Sequence, residues 1–370
     1  MRVHPSQLIE GCILLEDVKG KSGRPIMEEG TILTEELITV LDKFLIDSVD
    51  VSTKLHDGKT FLPKRKLEPN EKKSEHQMEI YLEPEENRSI PEHYLQAVKD
   101  YKGFFDDWRN GVPLDMPKIR KSVIPLLERV DEMDMDIFTI YQLGTAEDYI
   151  YHHGVAVSLL SAYLGKELGY RKGEWIQIGL AGYLADAGMS KVDPEILTKG
   201  GPLTEDQLAD IKNHPTYSYR MVGDVTGLSQ QTKIAVLQHH ERLDGSGYPL
   251  GLSKDKINSY ARIIAISDTY HAMTSERFYK KKQPVFKVLD EILQEQYSRL
   301  DMTIVQKFVE SLTKRTVGNT VHLSNGKTGE IVFCDMDQHT LKLFVKLHDN
   351  SEIIVTESNS EVFIEEVILD

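Results

Sequence analysis

The chain has 370 residues, of which 40% are hydrophobic and 28% charged, and its formal net charge at pH 7 is −15. This length is enough for two or three domains, each with its own core, and the acidic balance argues against binding to a nucleic-acid polymer or an anionic membrane. The two cysteines, Cys12 and Cys334, form no CxxC pattern, so a disulfide framework is not indicated. Because no apolar segment approaches the roughly 20 residues that span a bilayer and the start of the chain lacks a signal-peptide pattern, we expect a cytoplasmic protein.

Residues 1–62 alternate short apolar runs with Gly and Asp turns, and one amphipathic segment places Leu37, Val40, Leu41 and Phe44 at helical spacing. This pattern predicts a small α+β accessory or sensory unit. Residues 63–90 are strongly charged and predict a linker. Amphipathic helical patterns return over residues 91–142, which we interpret as a helical connector or as the seam of a homodimer.

Five apolar helical segments follow, and each carries or ends near a histidine or an aspartate. These residues are His153, Asp186, His214, the adjacent pair His239 and His240, and Asp268. The sequence Thr-Ala-Glu-Asp at 145–148 predicts a capping box for the first of these helices. An adjacent pair of histidines is by itself more typical of a polar helix end, but a carboxylate such as Asp268 within so apolar a helix needs a partner, because an unpaired buried charge costs several kcal/mol. A metal ion would be the natural partner.

The segment HHERLDGSGYP at 239–249 and the segment DTYHAMTSERFY that begins at Asp268 carry a family resemblance. Over about residues 143–312 the chain resembles the HD-GYP family of the HD superfamily, the metal-dependent cyclic di-GMP phosphodiesterases of bacteria. The resemblance implies an all-α domain in which metal-activated water hydrolyses cyclic di-GMP to linear pGpG or GMP. It further implies that the GYP loop contacts diguanylate cyclase domains.

The resemblance also assigns roles to individual residues. The implied metal ligands are His153, Asp186, His214, His239, His240 and Asp268, with Asp186 as the bridging, catalytic carboxylate. The implied substrate-binding residues are Arg277, Lys280, Tyr248 and Gly247. Imidazole and carboxylate ligands suit one or two divalent transition metal ions, Fe or Mn first and Zn as an alternative, better than Mg or Ca.

Two residues depart from the family pattern. Ala185 stands where the family has the histidine of its His-Asp pair, and Met189 stands where the family has a lysine close to the scissile phosphate. One metal position would keep all its ligands, and the other would lose an imidazole. Two functions therefore remain open: an impaired cyclic di-GMP phosphodiesterase, and an inactive pseudoenzyme that acts as a cyclic di-GMP receptor or as a scaffold. Hydrolysis of a different nucleotide is a third, weaker hypothesis.

From about residue 316 the hydrophobic pattern has a period of two. Leu341, Leu343, Val345 and Leu347 alternate with residues of the opposite face, and turn signals separate four such runs. We predict a small antiparallel β accessory domain over residues 316–370. The expected fold class is thus multidomain: a central all-α HD-superfamily domain at 143–312, an N-terminal α+β unit and a C-terminal β domain.

Overall fold

The structure is a computed structural model of the chain. It describes residues 1–3, 5–19, 25–27, 29–34, 37–38, 41, 48–56, 59, 61, 89–133, 140–278, 281–295, 299–337, 340–347, 351–356 and 362–368. The chain divides into two compact units, Met1–Tyr81 and Leu82–Asp370. Nearly all of the predicted linker at 63–90 and part of the predicted N-terminal helix, including Val40 and Phe44, lie outside the described residues. Among the described helices, none is long and apolar enough to cross a membrane.

The first unit contains short antiparallel strand pairs. Its strands are β1 (Arg2–Val3), β2 (Val18–Lys19), β3 (Pro25–Met27) and β4 (Val49–Asp50), and β1 pairs with β4 while β2 pairs with β3. Leu14, Leu33 and Val51 are fully buried in its core. The backbone N–H of Leu37 donates to Thr34 Oγ1 at 3.3 Å, which is the contact of an N-cap residue.

The second unit is mostly helical and ends in a sheet. Its α-helices are α1 (Ile90–Arg109), α2 (Met116–Glu128), α3 (Tyr149–Glu167), α4 (Lys172–Ala185), α5 (Pro194–Leu197), α6 (Glu205–Lys212), α7 (His214–Val222), α8 (Gln230–Gln238), α9 (Ser259–Thr274), α10 (Val285–Glu295) and α11 (Met302–Thr313). Its strands are β5 (Thr320–Leu323), β6 (Thr328–Met336), β7 (Leu341–Leu347), β8 (Glu352–Thr356) and β9 (Ile364–Val367).

Helix α3 is the centre of this unit, and it is buried from His152 to Gly165. Helices α1 and α2 pack into the same hydrophobic core as α3 and α4; the rings of Tyr101 on α1 and Tyr183 on α4, for example, meet edge to face at 4.8 Å. Burial of aromatic rings on this scale is a large contribution to stability. The predicted connector helices are therefore part of the wall around α3.

Capping explains where several helices begin. Thr204 and Gln207 form a capping box at the start of α6, and the Ser229 side chain accepts from the backbone N–H of Thr232 at the start of α8. The capping box predicted at 145–148 is wrong. Helix α3 begins after Asp148, whose side chain makes no capping bond and instead pairs with Lys102 Nζ at 3.2 Å.

The C-terminal strands form one antiparallel sheet in the order β8-β7-β6-β5-β9. The predicted alternation along β7 is confirmed, since Leu341, Leu343, Val345 and Leu347 are buried. The sheet shares the core of the helices, and Asp290 Oδ1 on α10 accepts from the backbone N–H of Leu341 at 3.3 Å. The second unit is thus a mostly helical body with a five-stranded sheet at its C-terminal end.

Candidate metal centre

The six predicted metal ligands come together near the N-terminal part of α3. His153 lies in the early turns of α3, Asp186 directly follows α4, His214 is the first residue of α7, His239 and His240 directly follow α8, and Asp268 lies within α9. Helix ends thus supply most of these side chains, where the chain can turn them toward a common point. Apart from the half-buried His240, all of them are buried.

Asp186 lies between two sets of side chains. Its Oδ1 lies 3.0 Å from His214 Nε2 and 3.5 Å from His239 Nε2, and those two nitrogens lie 3.2 Å apart. With His240, these residues offer ligand atoms that all lie within 4.8 Å of one another. Ligands about 3.3 Å apart are what a tetrahedral ion with bonds of about 2.0–2.1 Å requires.

Backbone carbonyls three residues earlier in the chain fix the tautomers of two histidines. His214 Nδ1 lies 2.7 Å from the carbonyl oxygen of Ile211, and His239 Nδ1 lies 2.8 Å from that of Val236. A carbonyl oxygen only accepts, so in the neutral imidazoles both Nδ1 atoms carry the proton and both Nε2 atoms present lone pairs. These lone pairs face each other and Asp186 Oδ1, which has no hydrogen-bond partner among the described residues. Such an arrangement is repulsive without a cation, so the donor set fits a metal ion.

The second set lies on the Oδ2 side of Asp186. His153 Nε2 lies 3.4 Å from Asp186 Oδ2 and 3.0 Å from Asp268 Oδ1, and His240 Nδ1 lies 3.6 Å from Asp268 Oδ2. Ala185, just before Asp186, is buried and has no ligand atom in its side chain; its backbone carbonyl accepts from Ser218 Oγ at 2.6 Å. This set therefore has fewer nitrogen donors than the first.

The protonation states match those of metal ligands. Burial by itself would raise the pKa of Asp186, but positive charge on the imidazoles of His214 and His153, with hydrogen bonds from His214 and His239, holds it well below its usual range. Where those imidazoles are neutral, a bound metal ion would supply the positive charge instead. The pKa of Asp268 is lowered in the same way: burial opposes the shift, and His240 and His153 cause it. Burial, with His239 next to it, lowers the pKa of His240 well below its usual value. The site is thus built from ionised carboxylates and a neutral imidazole, the forms that bind metal ions.

The GYP turn supports the two adjacent histidines. A Cβ on Gly247 would lie 2.4 Å from the backbone nitrogen of Arg242, so only glycine lets the turn approach this closely. The buried carboxylate of Glu241 accepts from the backbone N–H groups of Leu250 and Leu252 at 2.7 and 2.8 Å. The turn brings the ring of Tyr248 onto His240 at a centroid distance of 4.6 Å.

A cavity of about 320 Å³ opens beside these residues. Five of the predicted ligands, all except His239, line it together with Tyr248, Met189 and Arg277. The Arg277 guanidinium lies 5.7 Å from the centre of the Tyr149 ring. Gly247 is not among the lining residues, and Lys280 lies outside the described residues.

Three residues of this region were missed in the sequence. Arg109, at the end of α1, lines the same cavity. The Tyr149 hydroxyl lies 3.1 Å and His271 Nδ1 lies 3.0 Å from His153 Nδ1. Helical spacing could have found Tyr149, four residues before His153, and could have placed His271 beside Asp268 on α9. Arg109 carries no comparable signal, because it lies far from every motif.

Residues 140–304 match the sequence model of the HD domain family. Over these residues the chain is similar to HD domains. A cyclic di-GMP phosphodiesterase of Pseudomonas aeruginosa is 32% identical over 235 residues, which are 64% of this chain and 56% of that relative. The 3'3'-cGAMP-specific phosphodiesterase 1 of Vibrio cholerae is 35% identical over 165 residues, 44% of this chain and 38% of that relative. The chain thus spans about half or less of the length of these relatives, and the predicted resemblance to the HD-GYP phosphodiesterases is confirmed.

A solved structure shares the fold beyond the HD domain. An HDG"Y"P protein from Bdellovibrio bacteriovorus superposes with a TM-score of 0.53 at 15% identity, covering 85% of this chain and 99% of that one. At this identity the likeness concerns the fold alone. The mostly helical HD domain with its C-terminal antiparallel sheet is therefore as the sequence predicted.

Proposed function

We propose that the protein is a metal-dependent phosphodiesterase that hydrolyses cyclic di-GMP to linear pGpG or GMP. One observation carries the proposal: His214 and His239, whose Nδ1 atoms each face a backbone carbonyl, bring their Nε2 atoms together with Asp186 Oδ1 beside a cavity. The name of the Pseudomonas aeruginosa relative agrees with this activity, whereas the Vibrio cholerae relative is named as specific for 3'3'-cGAMP.

The six ligands have the role of holding one or two divalent transition metal ions. When bound, such an ion lowers the pKa of water and offsets the negative charge that builds up on a phosphoryl group. Asp186, with one oxygen toward each set of ligands, joins the two positions. Tyr248 stacks on His240 and keeps that ring in place at the cavity wall. Because most of these side chains are buried, their electrostatic interactions are stronger than they would be in water.

The substrate has two phosphates, so it needs positive charge in a chain that is acidic as a whole. Arg277 and Arg109 both line the cavity, and their guanidinium groups suit phosphate oxygens in bidentate geometry. We assign Arg277 to one phosphate, with Lys280 as a second cation from the same segment. Met189 brings no charge to the cavity, so stabilisation of the transition state is weaker than with a lysine there.

The remaining assignments follow from the same proposal. The donor set favours Fe or Mn, with Zn as the alternative. We propose that residues 1–62 are an accessory or sensory unit joined by a linker to the HD domain, and that the C-terminal sheet is an interaction module. The GYP loop is proposed to contact a diguanylate cyclase domain, and the protein is proposed to act in the cytoplasm.

The test is turnover of purified protein, stripped of metal and then supplied with Mn²⁺ or with Fe²⁺ under anaerobic conditions. Cyclic di-GMP and 3'3'-cGAMP are supplied in parallel, and products are separated by chromatography. We expect hydrolysis of cyclic di-GMP that the Asp268→Asn variant loses, while His322→Gln, which changes an exposed histidine on β5, keeps the wild-type rate. If the protein binds cyclic di-GMP but hydrolyses it under none of these conditions, it is a receptor. If it hydrolyses 3'3'-cGAMP faster than cyclic di-GMP, the substrate is 3'3'-cGAMP.

A further inference from the structure

His271 lies behind His153, on the side that faces away from the two carboxylates. The two Nδ1 atoms lie 3.0 Å apart, while His153 Nε2 lies 3.0 Å from Asp268 Oδ1. Both imidazoles are buried. Asp268 and His271 are three residues apart on α9 and so share one face of that helix. Helix α9 thus contacts His153 at both of its ring nitrogens.

The two facing nitrogens must share one proton. Two lone pairs at this separation would repel each other, and two N–H groups would collide, so one ring donates to the other. If the proton of His153 is on Nδ1, its Nε2 presents a lone pair toward Asp186 and Asp268. If the proton is on Nε2, that N–H donates to Asp268 Oδ1, and no lone pair remains for a metal ion.

We propose that His271 is a positioning residue that accepts the Nδ1–H of His153 and so keeps His153 Nε2 available to a metal ion. This inference rests on the metal centre of the proposed function. His214 and His239 obtain the same effect from the backbone carbonyls of Ile211 and Val236. At His153 Nδ1 no such carbonyl is described; the described neighbours of that nitrogen are His271 Nδ1, from another helix, and the Tyr149 hydroxyl.

The surroundings of His271 complete the hydrogen-bond chain. When its Nδ1 accepts, its own proton is on Nε2; Ser275 Oγ lies 3.3 Å from that nitrogen and 3.4 Å from Nδ1. A serine hydroxyl can accept this proton and donate elsewhere. The Tyr149 hydroxyl also lies 3.1 Å from His153 Nδ1 and, like His271 Nδ1, it can accept or donate there. The experiment must therefore separate Tyr149 from His271.

The test compares two amides at position 271. In His271→Asn the side-chain oxygen can occupy the place of Nδ1 and still accept from His153, whereas in His271→Gln the amide reaches the place of Nε2 and leaves His153 without that acceptor. Mn²⁺ affinity and stoichiometry of the metal-free protein are measured by titration calorimetry. We expect the Gln variant to bind at the His153 side about 10–100-fold more weakly, with the other side unchanged, and the Asn variant to stay close to wild type.

Tyr149→Phe is the matched control and is expected to keep wild-type Mn²⁺ affinity. Equal affinities for the Asn and Gln variants, or a loss in Tyr149→Phe alone, would overturn the role of His271. If the wild-type chain binds no Mn²⁺, the metal centre of the proposed function is contradicted. The turnover test checks that centre separately. If the variants fail to fold, ¹⁵N-histidine spectra of the Zn²⁺-loaded wild type, assigned with His153→Gln, decide the matter: a proton on His153 Nδ1 supports the proposal, and a proton on Nε2 contradicts it.

Discussion

Replacing Asp186 by Asn tests the metal centre without turnover. The substitution keeps the shape of the side chain but removes the charge that lies 3.0 Å from His214 Nε2 and 3.4 Å from His153 Nε2. Because one carboxylate serves both sets of ligands, a single change should weaken both metal positions. The measured quantity is the rise in melting temperature that added Mn²⁺ produces in the metal-free protein.

The size of the effect follows from linkage. At a free Mn²⁺ concentration about 100 times the Kd, binding stabilises the folded state by about 2.7 kcal/mol. Loss of a partner of a metal ligand weakens binding by about 10–100-fold, and loss of a shared ligand should do at least as much. With a Kd raised about 100-fold the same concentration gives only about 0.4 kcal/mol. At about 2–4 °C per kcal/mol, the rise falls from about 5–11 °C to about 1–2 °C.

The assay is differential scanning fluorimetry with and without Mn²⁺ after treatment with a chelator. Asp290→Asn is the control, since Asp290 is also buried but accepts from the backbone of β7. That variant can melt at a lower temperature, yet it should retain the full Mn²⁺-induced rise. An Asp186→Asn protein that keeps the wild-type rise would refute the assignment of Asp186 as a shared ligand.

Three further outcomes are expected. Arg277→Ala should lower kcat/KM for cyclic di-GMP by about 10–100-fold, since charge-assisted hydrogen bonds contribute about 1.5–3 kcal/mol, whereas Lys346→Ala on β7 should not; equal effects would contradict the role of Arg277. Burial lowers the pKa of His152 from 6.5 to about 4, so the unfolded chain takes up a proton in this range that the folded chain does not, and the stability contributed by neutral His152 falls with the pH. At about 1.4 kcal/mol per pH unit, the metal-free protein should lose on the order of 3 kcal/mol of unfolding free energy between pH 6.5 and about pH 4, and His152→Gln should not show this loss. Urea unfolding of both proteins at the two pH values measures it; the same loss in wild type and variant would contradict the role of His152. Gly247→Ala should cost about 1–3 kcal/mol because its Cβ meets backbone, while Gly103→Ala in the open middle of α1 should stabilise the protein by up to about 1 kcal/mol, as thermal unfolding can check.

The sequence predicted most of what depends on local pattern. The coarse fold, a mostly helical HD domain with a C-terminal antiparallel sheet, is confirmed, because apolar periodicity and turn residues encode these elements. The six ligands assigned by motif lie in one cluster, and their assignment as ligands stays a prediction. The short strand β5 was missed, because four residues carry too little alternation to stand out.

The unpredicted residues share a physical reason. His271 and His153 are 118 residues apart in the chain and touch only because α9 packs against α3. Arg109 reaches the cavity from α1, outside the segment that carries the motifs. Helical spacing can place such residues on a face of a helix, but it does not say which face of which other helix lies opposite. The capping box at 145–148 failed for a similar reason, since the partner of Asp148 is a lysine of α1.

The two sides of the centre are built differently, and this predicts two steps of metal binding. On one side, each of two imidazoles is fixed by the carbonyl three residues before it in the chain, so the donor set forms with the local structure. The other side needs His271 from a different helix and has alanine at position 185. Titration of metal-free protein with Mn²⁺ should therefore show one tight step and one weaker step, and Ala185→His should strengthen the weaker step alone. Two equal steps in the wild type, or a weak step that Ala185→His leaves unchanged, would mean that the missing imidazole does not set the difference between the two sides.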